Sequence, residues 1–354
     1  IYLPWLGART LLYALYAVAL QPLRTVRVIL RLLLSSRSLI IALKNLSVIP
    51  KGLALAWSLR LARPDHIHAH WASTSSSAAM IAAETVGVPW SFTAHRGDIR
   101  EDNCLRTKVL SAAFVRVISD KGVRQLREKV SPECANKILC VHMGCRMETR
   151  CDSGGFRSVA ERIDYRRRKR VIACPANLLP VKGHAVLLSA LAQMKSLGMK
   201  FSCIMMGNGP LEGQLRQQTK DLGLEELVEW RGKVAHDELL RTYIDNQVSI
   251  VVLPSIRTDD GVEEGIPVSL IEAMAAGLPV VSTDTGAIPE LLVEGAGIMV
   301  RHGDAEALAS ALTELLENEE MYSAQAFSCK QRARRAFDLR IVASTLVDCF
   351  FGCS

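Results

Sequence analysis

The stretch from Val248 to Ser282 limits what this chain can fold into more than any other. Val248-Ser-Ile-Val-Val-Leu253 is apolar and β-branched and is ended by Pro254-Ser255, so it reads as a buried strand. An acidic loop with glycines follows, from Asp259 and Asp260 through Glu264, Gly265 and Ile266. Pro267 stands where a first-turn proline belongs. Val268 to Ala276 read as a short helix stopped by Gly277 and Pro279. Pro279 to Ser282 is a second apolar strand. In such strand–loop–helix–strand units, ligands bind outside the carboxyl ends of the strands, against a helix N-terminus.

Two carboxylates frame this helix. Glu264, in the loop, can accept hydrogen bonds from a ligand's hydroxyls, and it reads equally as an exposed loop charge. Glu272 sits among Val, Ser, Leu, Ile, Ala and Met, where a carboxylate is costly unless paired or bonded. As an acid in the first half of a helix it is also favoured by the macrodipole. Spacing leaves both alternatives open. The run Glu264-Gly-Ile-Pro-Val-Ser-Leu-Ile-Glu272-Ala-Met-Ala-Ala-Gly-Leu-Pro-Val-Val resembles the Glu-x7-Glu signature of retaining glycosyltransferases of family 4. That resemblance implies an α/β GT-B fold, two Rossmann-like domains facing a cleft, and a nucleotide-diphosphate sugar as donor. It places the first Glu by the donor sugar and the second on the nucleotide ribose. Further matches run over roughly residues 65 to 345.

Composition sets the outer bounds. The 354 residues suffice for two domains, and 49% apolar with 22% charged residues fits a chain that buries large cores. None of the ten cysteines shows C-x2-C spacing, so neither a zinc site nor a disulfide framework is expected. Several stand in apolar runs, as buried free thiols do, and a reducing compartment is expected. No opening strand with a glycine turn is seen, so the N-terminal domain is expected to lack its first strand.

Residues 1 to 64 hold nine basic residues, Arg9 to Arg63, and no acid, although the whole chain has a net charge of only +7. Leucine-rich segments, Leu11 to Leu20 and Val26 to Leu34, lie between these charges. No apolar run reaches the ~18 residues of a spanning helix. Two readings remain: basic helices lying on an anionic membrane, or helices packed on the N-terminal domain with basic outer faces. Nucleic acid is disfavoured because the basic residues alternate with aliphatics and not with stacking aromatics.

His66, His68 and His70 alternate on one face of a predicted strand, where packing is favoured over metal ligation. Trp90-Ser-Phe-Thr-Ala94 is the next strand, and His95 at its end is well placed for a ligand. The run through His95-Arg-Gly-Asp98 resembles the family motif whose His contacts the donor sugar; Asp98 alone reads as a helix cap. Short strands are predicted at 115–119 and 137–142. Arg146 stands where relatives carry an acid, so no role passes to it. Residues 150 to 170, ending in Tyr165-Arg-Arg-Arg-Lys-Arg170, read as a charge-dense linker with a solvated basic run.

The second domain opens at Val171. Lys182, before Gly183 at a helix start, can reach a diphosphate. The family pattern has a basic pair here, and this chain has Asn177 in the first place. Gly207 and Gly209 end the strand Phe201 to Met206, where glycines admit a ligand to the backbone. Resemblance places the Gly232-Lys-Val234 backbone by the nucleotide base, and Gly286, after the last motif strand, close to the ligand. An amphipathic helix over 304–317 and a helical tail from Ala324 to Phe351, crossing back to the first domain, complete the pattern.

These readings converge on four segments. They are an acceptor-side domain (1–155), a linker (156–170), a donor domain (171–330) and a terminal helix (331–354). Resemblance implies sugar transfer with retention from a UDP- or GDP-sugar to a hydroxyl of a saccharide or lipid-linked saccharide, without metal or other cofactor. Family members that build bacterial exopolysaccharide, on the cytoplasmic side, are the nearest match. Glu264 and His95 would orient the donor sugar. Lys182, Asn177, Gly207, Gly209, Val234, Gly265, Ile266, Pro267, Val268, Glu272 and Gly286 would hold the nucleotide-sugar. An epimerase of the same fold would need acid–base carboxylates in the N-terminal half, where only Asp98, Glu101 and Asp102 stand nearby. A non-catalytic nucleotide-sugar binder or membrane scaffold is the other alternative.

Overall fold

The computed structural model describes residues 7–147 and 158–352 and divides into two compact units, Ile1–His142 with Thr345–Ser354, and Met143–Ser344. Residues 156 and 157 of the expected linker, and Cys151 and Cys353, lie outside the described residues.

The first unit holds four parallel strands, β1 (Ile67–His70), β2 (Trp90–Ala94), β3 (Val115–Val117) and β4 (Ile138–Cys140), side by side in that order. β2 is buried at all five positions and β3 at all three, as parallel strands covered on both faces are. The basic N-terminal region forms three helices, Ala8–Leu20, Pro22–Leu34 and Leu39–Ala62. The third corrects the expectation that nothing here could span a membrane. It has 24 residues and a mean hydropathy of 1.6, enough by length and composition to cross one. One face of it packs into the first unit, where Val48, Gly52, Leu53, Ala54 and Ala56 are buried, while Leu39, Ile40, Leu43 and Leu46 are exposed. At Gly52 a Cβ would stand only 2.9 Å from Ile81 Cβ of helix Thr74–Val86, so glycine permits the close crossing. The buried Asn45 fixes the register. Its Nδ2 donates to Asn103 Oδ1 (3.0 Å), and its Oδ1 accepts from Ser77 Oγ (2.7 Å).

The second unit holds six parallel strands: β5 (Val171–Pro175), β6 (Ser202–Met206), β7 (Val228–Gly232), β8 (Ile250–Leu253), β9 (Val280–Thr283) and β10 (Ile298–Val300). Their order is β10-β9-β8-β5-β6-β7. All of Ile250 to Leu253 and Val280 to Thr283 are buried, and the unit has its own apolar core. β10 is not anticipated by the sequence, being three residues between glycines.

Two expectations are corrected in this unit. The charge-dense segment before Val171 is not a solvated linker where it is described, because Val159–Lys169 is a helix of the second unit. Arg166 on it is 1% exposed and donates to Asn246 Oδ1 (2.5 Å) and to the carbonyls of Ala276 (2.9 Å) and Tyr243 (2.9 Å). A guanidinium thus closes the C-terminal ends of helices Val268–Ala275 and His236–Ile244, where carbonyls are unpaired and the dipole is negative. The helical tail is two helices, Glu319–Ala336 and Leu339–Phe351. They break at Phe337-Asp338, where Cys145 N donates to Phe337 O and Leu339 N donates to Cys145 O.

Candidate active site

The predicted donor residues stand at the carboxyl ends of the second unit's strands. Asn177 follows β5, Gly207 and Gly209 follow β6, Val234 follows β7, the Glu264 loop follows β8 and Gly286 follows β9. Backbone comes very close to backbone here. A Cβ on Gly207 would stand 2.0 Å from the Ala176 carbonyl oxygen, and one on Gly209 2.5 Å from that of Leu178. A Cβ on Gly286, at φ +65°, would stand 1.9 Å from the Glu264 carbonyl oxygen, so only glycine fits there. Asn177 is exposed beside Gly207.

The fold brings Lys182 and Glu264 together across 82 residues. Lys182 Nζ donates to Glu264 Oε2 at 2.5 Å, with both side chains largely buried. Ser255 Oγ donates to the same oxygen at 3.4 Å, and Gly265 N donates to Oε1 at 3.2 Å. Gly183 after the lysine has φ +68°, and a Cβ there would stand 1.9 Å from the Pro254 carbonyl oxygen. Lys182 is therefore anchored against the end of β8. Next to it, His184 is 2% exposed, and burial, then Lys182, push its pKa down to about 4. A neutral imidazole adds no second positive charge beside the ammonium.

Glu272 takes a different partner. Its Oε1 lies 2.7 Å from His236 Nε2, and this hydrogen bond raises the histidine's pKa. Glu272 and His236 line a cavity of about 340 Å³ with Gly144, Cys145, Arg146 and Leu240. Ile266 and Pro267 are buried, and Pro267 caps the helix from the N-cap position (φ −72°, ψ 119°) instead of lying within its first turn. Leu270 N and Ile271 N already donate to the Pro267 carbonyl, so the amides of Val268 and Ser269 are the ones the helix start presents.

His95 belongs to the first unit. It is the N-cap of the short helix Arg96–Glu101, and its backbone N–H donates to Asp98 Oδ2 (2.9 Å). Burial lowers its pKa, partly countered by Asp98. Its ring stacks on Trp71 at 4.2 Å. Of the three alternating histidines, His66 and His68 are packed, and the exposed His70 meets the His68 ring edge-on. His66 and His68 share the Ser91 hydroxyl at 2.7 Å, His68 also meets Thr93 Oγ1 at 2.8 Å, and Phe114 and Phe350 pack against both rings. Among the described residues, Asp120, Cys140 and His142 have ligand atoms within 4.8 Å of one another.

Residues 160–334 match the family model described as glycosyl transferases group 1. The second unit carries a group 1 glycosyltransferase domain. Among curated relatives, the amylovoran biosynthesis glycosyltransferase AmsK of Erwinia amylovora is 41% identical over 145 residues, covering 41% of this chain and 35% of that protein. The putative colanic acid biosynthesis glycosyltransferase WcaL of Escherichia coli K12 is 39% identical over 197 residues, covering 55% and 45%. The matched stretch thus spans less than half of these relatives. Among solved structures, Anabaena HepE in complex with UDP superposes with a TM-score of 0.65 at 19% identity, over 83% of this chain and 81% of that one. The fold is GT-B.

Two features of the glycosyltransferase domain are not legible in its sequence. His236 is recognisable only as a polar residue opening a helix, and its pairing with Glu272 is tertiary. Arg166 is indistinguishable in sequence from Arg167 and Arg168 beside it.

Proposed function

We propose that the chain transfers a sugar from a UDP- or GDP-linked donor to a hydroxyl of a saccharide or lipid-linked saccharide, with retention at the anomeric carbon. The observation that carries this reading is the carboxyl edge of the second sheet. There Lys182 is locked to Glu264, and Gly183, Gly207 and Gly286 keep side chains out of the way. Bond cleavage at the anomeric carbon sends charge onto the departing diphosphate and leaves an oxocarbenium-like sugar. Lys182 and the amides opening helix Val268–Ala275 would take up the first charge, a role open to preorganised donors in a water-poor site. In the free protein Glu264 neutralises Lys182, and a bound diphosphate would compete for the ammonium. That leaves the Glu264 carboxylate to accept from the sugar hydroxyls, with His95 as the second orienting group. Glu272 would exchange His236 for the ribose hydroxyls. Asn177, Gly209, Val234, Gly265, Ile266 and Pro267 would line the donor. The diphosphate would be held by these groups without a divalent ion.

The relatives' names support a place in exopolysaccharide synthesis. We also propose that the first unit rests on the anionic inner face of the membrane. Leu23, Leu34, Leu39 and Ile40 on its N-terminal helices are 67–86% exposed in a region without acids. Arg31, Arg37 and Lys44 there pair instead with Glu84, Asp102 and Glu101, so the attraction would rest on the other basic residues.

The test is nucleotide release from UDP-glucose and GDP-mannose. Turnover in the wild type, abolished in Glu264→Gln with nucleotide binding intact and unchanged by EDTA, is expected. Nucleotide binding without turnover in the wild type would favour the non-catalytic binder. Cosedimentation with phosphatidylglycerol vesicles, weakening with salt, tests the membrane surface; absence of binding at low salt would remove it.

A further inference from the structure

We infer that Trp71 is a sugar-stacking platform, an indole held open at the carboxyl edge of the first sheet to receive a pyranose ring of the acceptor. The assignment of that sugar to an acceptor rests on the glycosyl-transfer reading.

The backbone at Trp71 is unusual. Its φ is +74°, in the left-handed region that bulky side chains avoid. Such strain persists only where the surroundings impose it, and it concentrates at functional sites. The surroundings here are specific. Trp71 directly follows β1, and two side chains reach the four successive carbonyls through the turn. The Ser75 hydroxyl shares its one proton between the carbonyls of His70 (2.5 Å) and Trp71 (2.8 Å). Lys108 Nζ reaches those of Ala72 (3.0 Å) and Ser73 (2.7 Å). Lys108 is fully buried, and burial pushes its pKa down to about 7. Burying an ammonium is unfavourable unless its hydrogen bonds compensate, and here those bonds go to this turn.

The side chain so fixed does not enter the core. Trp71 is 54% exposed although one face of its ring lies on His95, at 4.2 Å and 28° between planes. A strained, bolted turn that displays a large aromatic to solvent does nothing for the unit's own packing. Its place, beyond the ends of the adjacent strands β1 and β2, is where an α/β sheet binds ligands. The face of an aromatic ring is electron-rich, and the C–H face of a pyranose is apolar and weakly positive, so the two stack while the sugar hydroxyls remain free. A pyranose on the indole would lie next to the His95 imidazole, which Trp71 also orients.

Saturation-transfer NMR with methyl β-D-galactopyranoside and methyl α-D-glucopyranoside tests this, alongside the thermal shift given by UDP and GDP. The wild type should transfer saturation to the C–H protons of one sugar face. Trp71→Phe should keep the signal within about twofold, and Trp71→Gly should lose at least fivefold. Glycine accepts φ +74°, so the Trp71→Gly protein should melt no lower than the wild type, which separates loss of binding from loss of fold. The nucleotide thermal shift should be the same in all three. Equal sugar signal in Trp71→Gly, or none in the wild type, would overturn the platform. Loss of the nucleotide shift in Trp71→Gly would place the indole on the donor's base and also overturn it. A wild type with no nucleotide shift whose sugar signal still depends on Trp71 would defeat the glycosyl-transfer reading and leave the platform standing.

Discussion

The carboxyl edges of the two sheets are built of different materials. In the second unit the edge is backbone and charge. Gly183, Gly207 and Gly286 stand where a Cβ would meet a carbonyl oxygen at 1.9 to 2.0 Å, and Lys182 is paired with Glu264 and His236 with Glu272. In the first unit the edge is rings. Trp71 lies on His95, and further back along β1 His66 and His68 stack on Phe114 and meet Phe350 tilted or edge-on. On the proposed reading the difference matches two ligand chemistries. A diphosphate needs close amides and a compensated cation; a sugar ring needs an apolar face with hydroxyl partners beside it. In the first unit the buried Lys108 ties down the turn at this edge, whereas in the second the buried Arg166 ties helix C-termini at the opposite, amino edge of the sheet.

Substitutions at the two edges should therefore fail in different ways. The largest effect is expected at Gly286. Any Cβ there collides with the Glu264 carbonyl, so Gly286→Val should reduce nucleotide-dependent turnover by more than ~100-fold and destabilise by about 3 kcal/mol. Gly261→Ala, also at positive φ but with open space around it, should cost about 1 kcal/mol and leave turnover alone. Denaturant melts and steady-state rates would check the pair.

Arg166→Ala comes next, at about 3 kcal/mol, because three buried acceptors lose their donor. Arg166→Lys should rescue little of it, since an ammonium cannot reproduce the guanidinium fork. His95→Ala should lower kcat about 100-fold if its ring orients the reacting sugar, with the melting temperature and nucleotide affinity unchanged. An equal loss of nucleotide affinity would mean that His95 does not act on the sugar alone.

The smallest effect is a pH dependence. Glu272 raises the pKa of His236 in the folded protein, so this pair stabilises fully below the unfolded value of 6.5 and loses its contribution as pH rises through the folded value. His236 is 64% exposed, so the effect is below about 1 kcal/mol. The ligand-free melting temperature should fall slightly more steeply above neutral pH in the wild type than in His236→Ala. Parallel profiles would show that the contact contributes nothing.

Much of the fold was legible in the chain because parallel strands are nearly continuous apolar runs. Trp90 to Ala94 reads to the residue, and six further strands read within a few positions. β10 was not, since its apolar run is only the three residues between Gly297 and Arg301, whereas β3 and β4, as short in the structure, lie in longer apolar runs. At the candidate site, Pro254, Pro267 and Gly277 mark turns with a local cause, so the Glu264 loop and its helix were readable. The pairings were not. Lys182 finds Glu264 and Glu272 finds His236 only because β5, β7 and β8 end on one edge. Arg166 sits in a basic run where every neighbour looks alike, and only the packing of helix Val159–Lys169 selects which arginine is buried. Trp71 reads in sequence as one more residue of a strand; its exposure and left-handed backbone are tertiary facts.

The most direct test of the central claim, that the second unit's edge is a nucleotide-diphosphate site, is calorimetric titration of the chain with UDP and GDP. Binding of one nucleotide, weakened at least tenfold in Lys182→Ala and in Glu272→Ala but unchanged in Trp71→Gly, is the expected result. A wild type that binds neither, or binding that both substitutions leave intact, would contradict it.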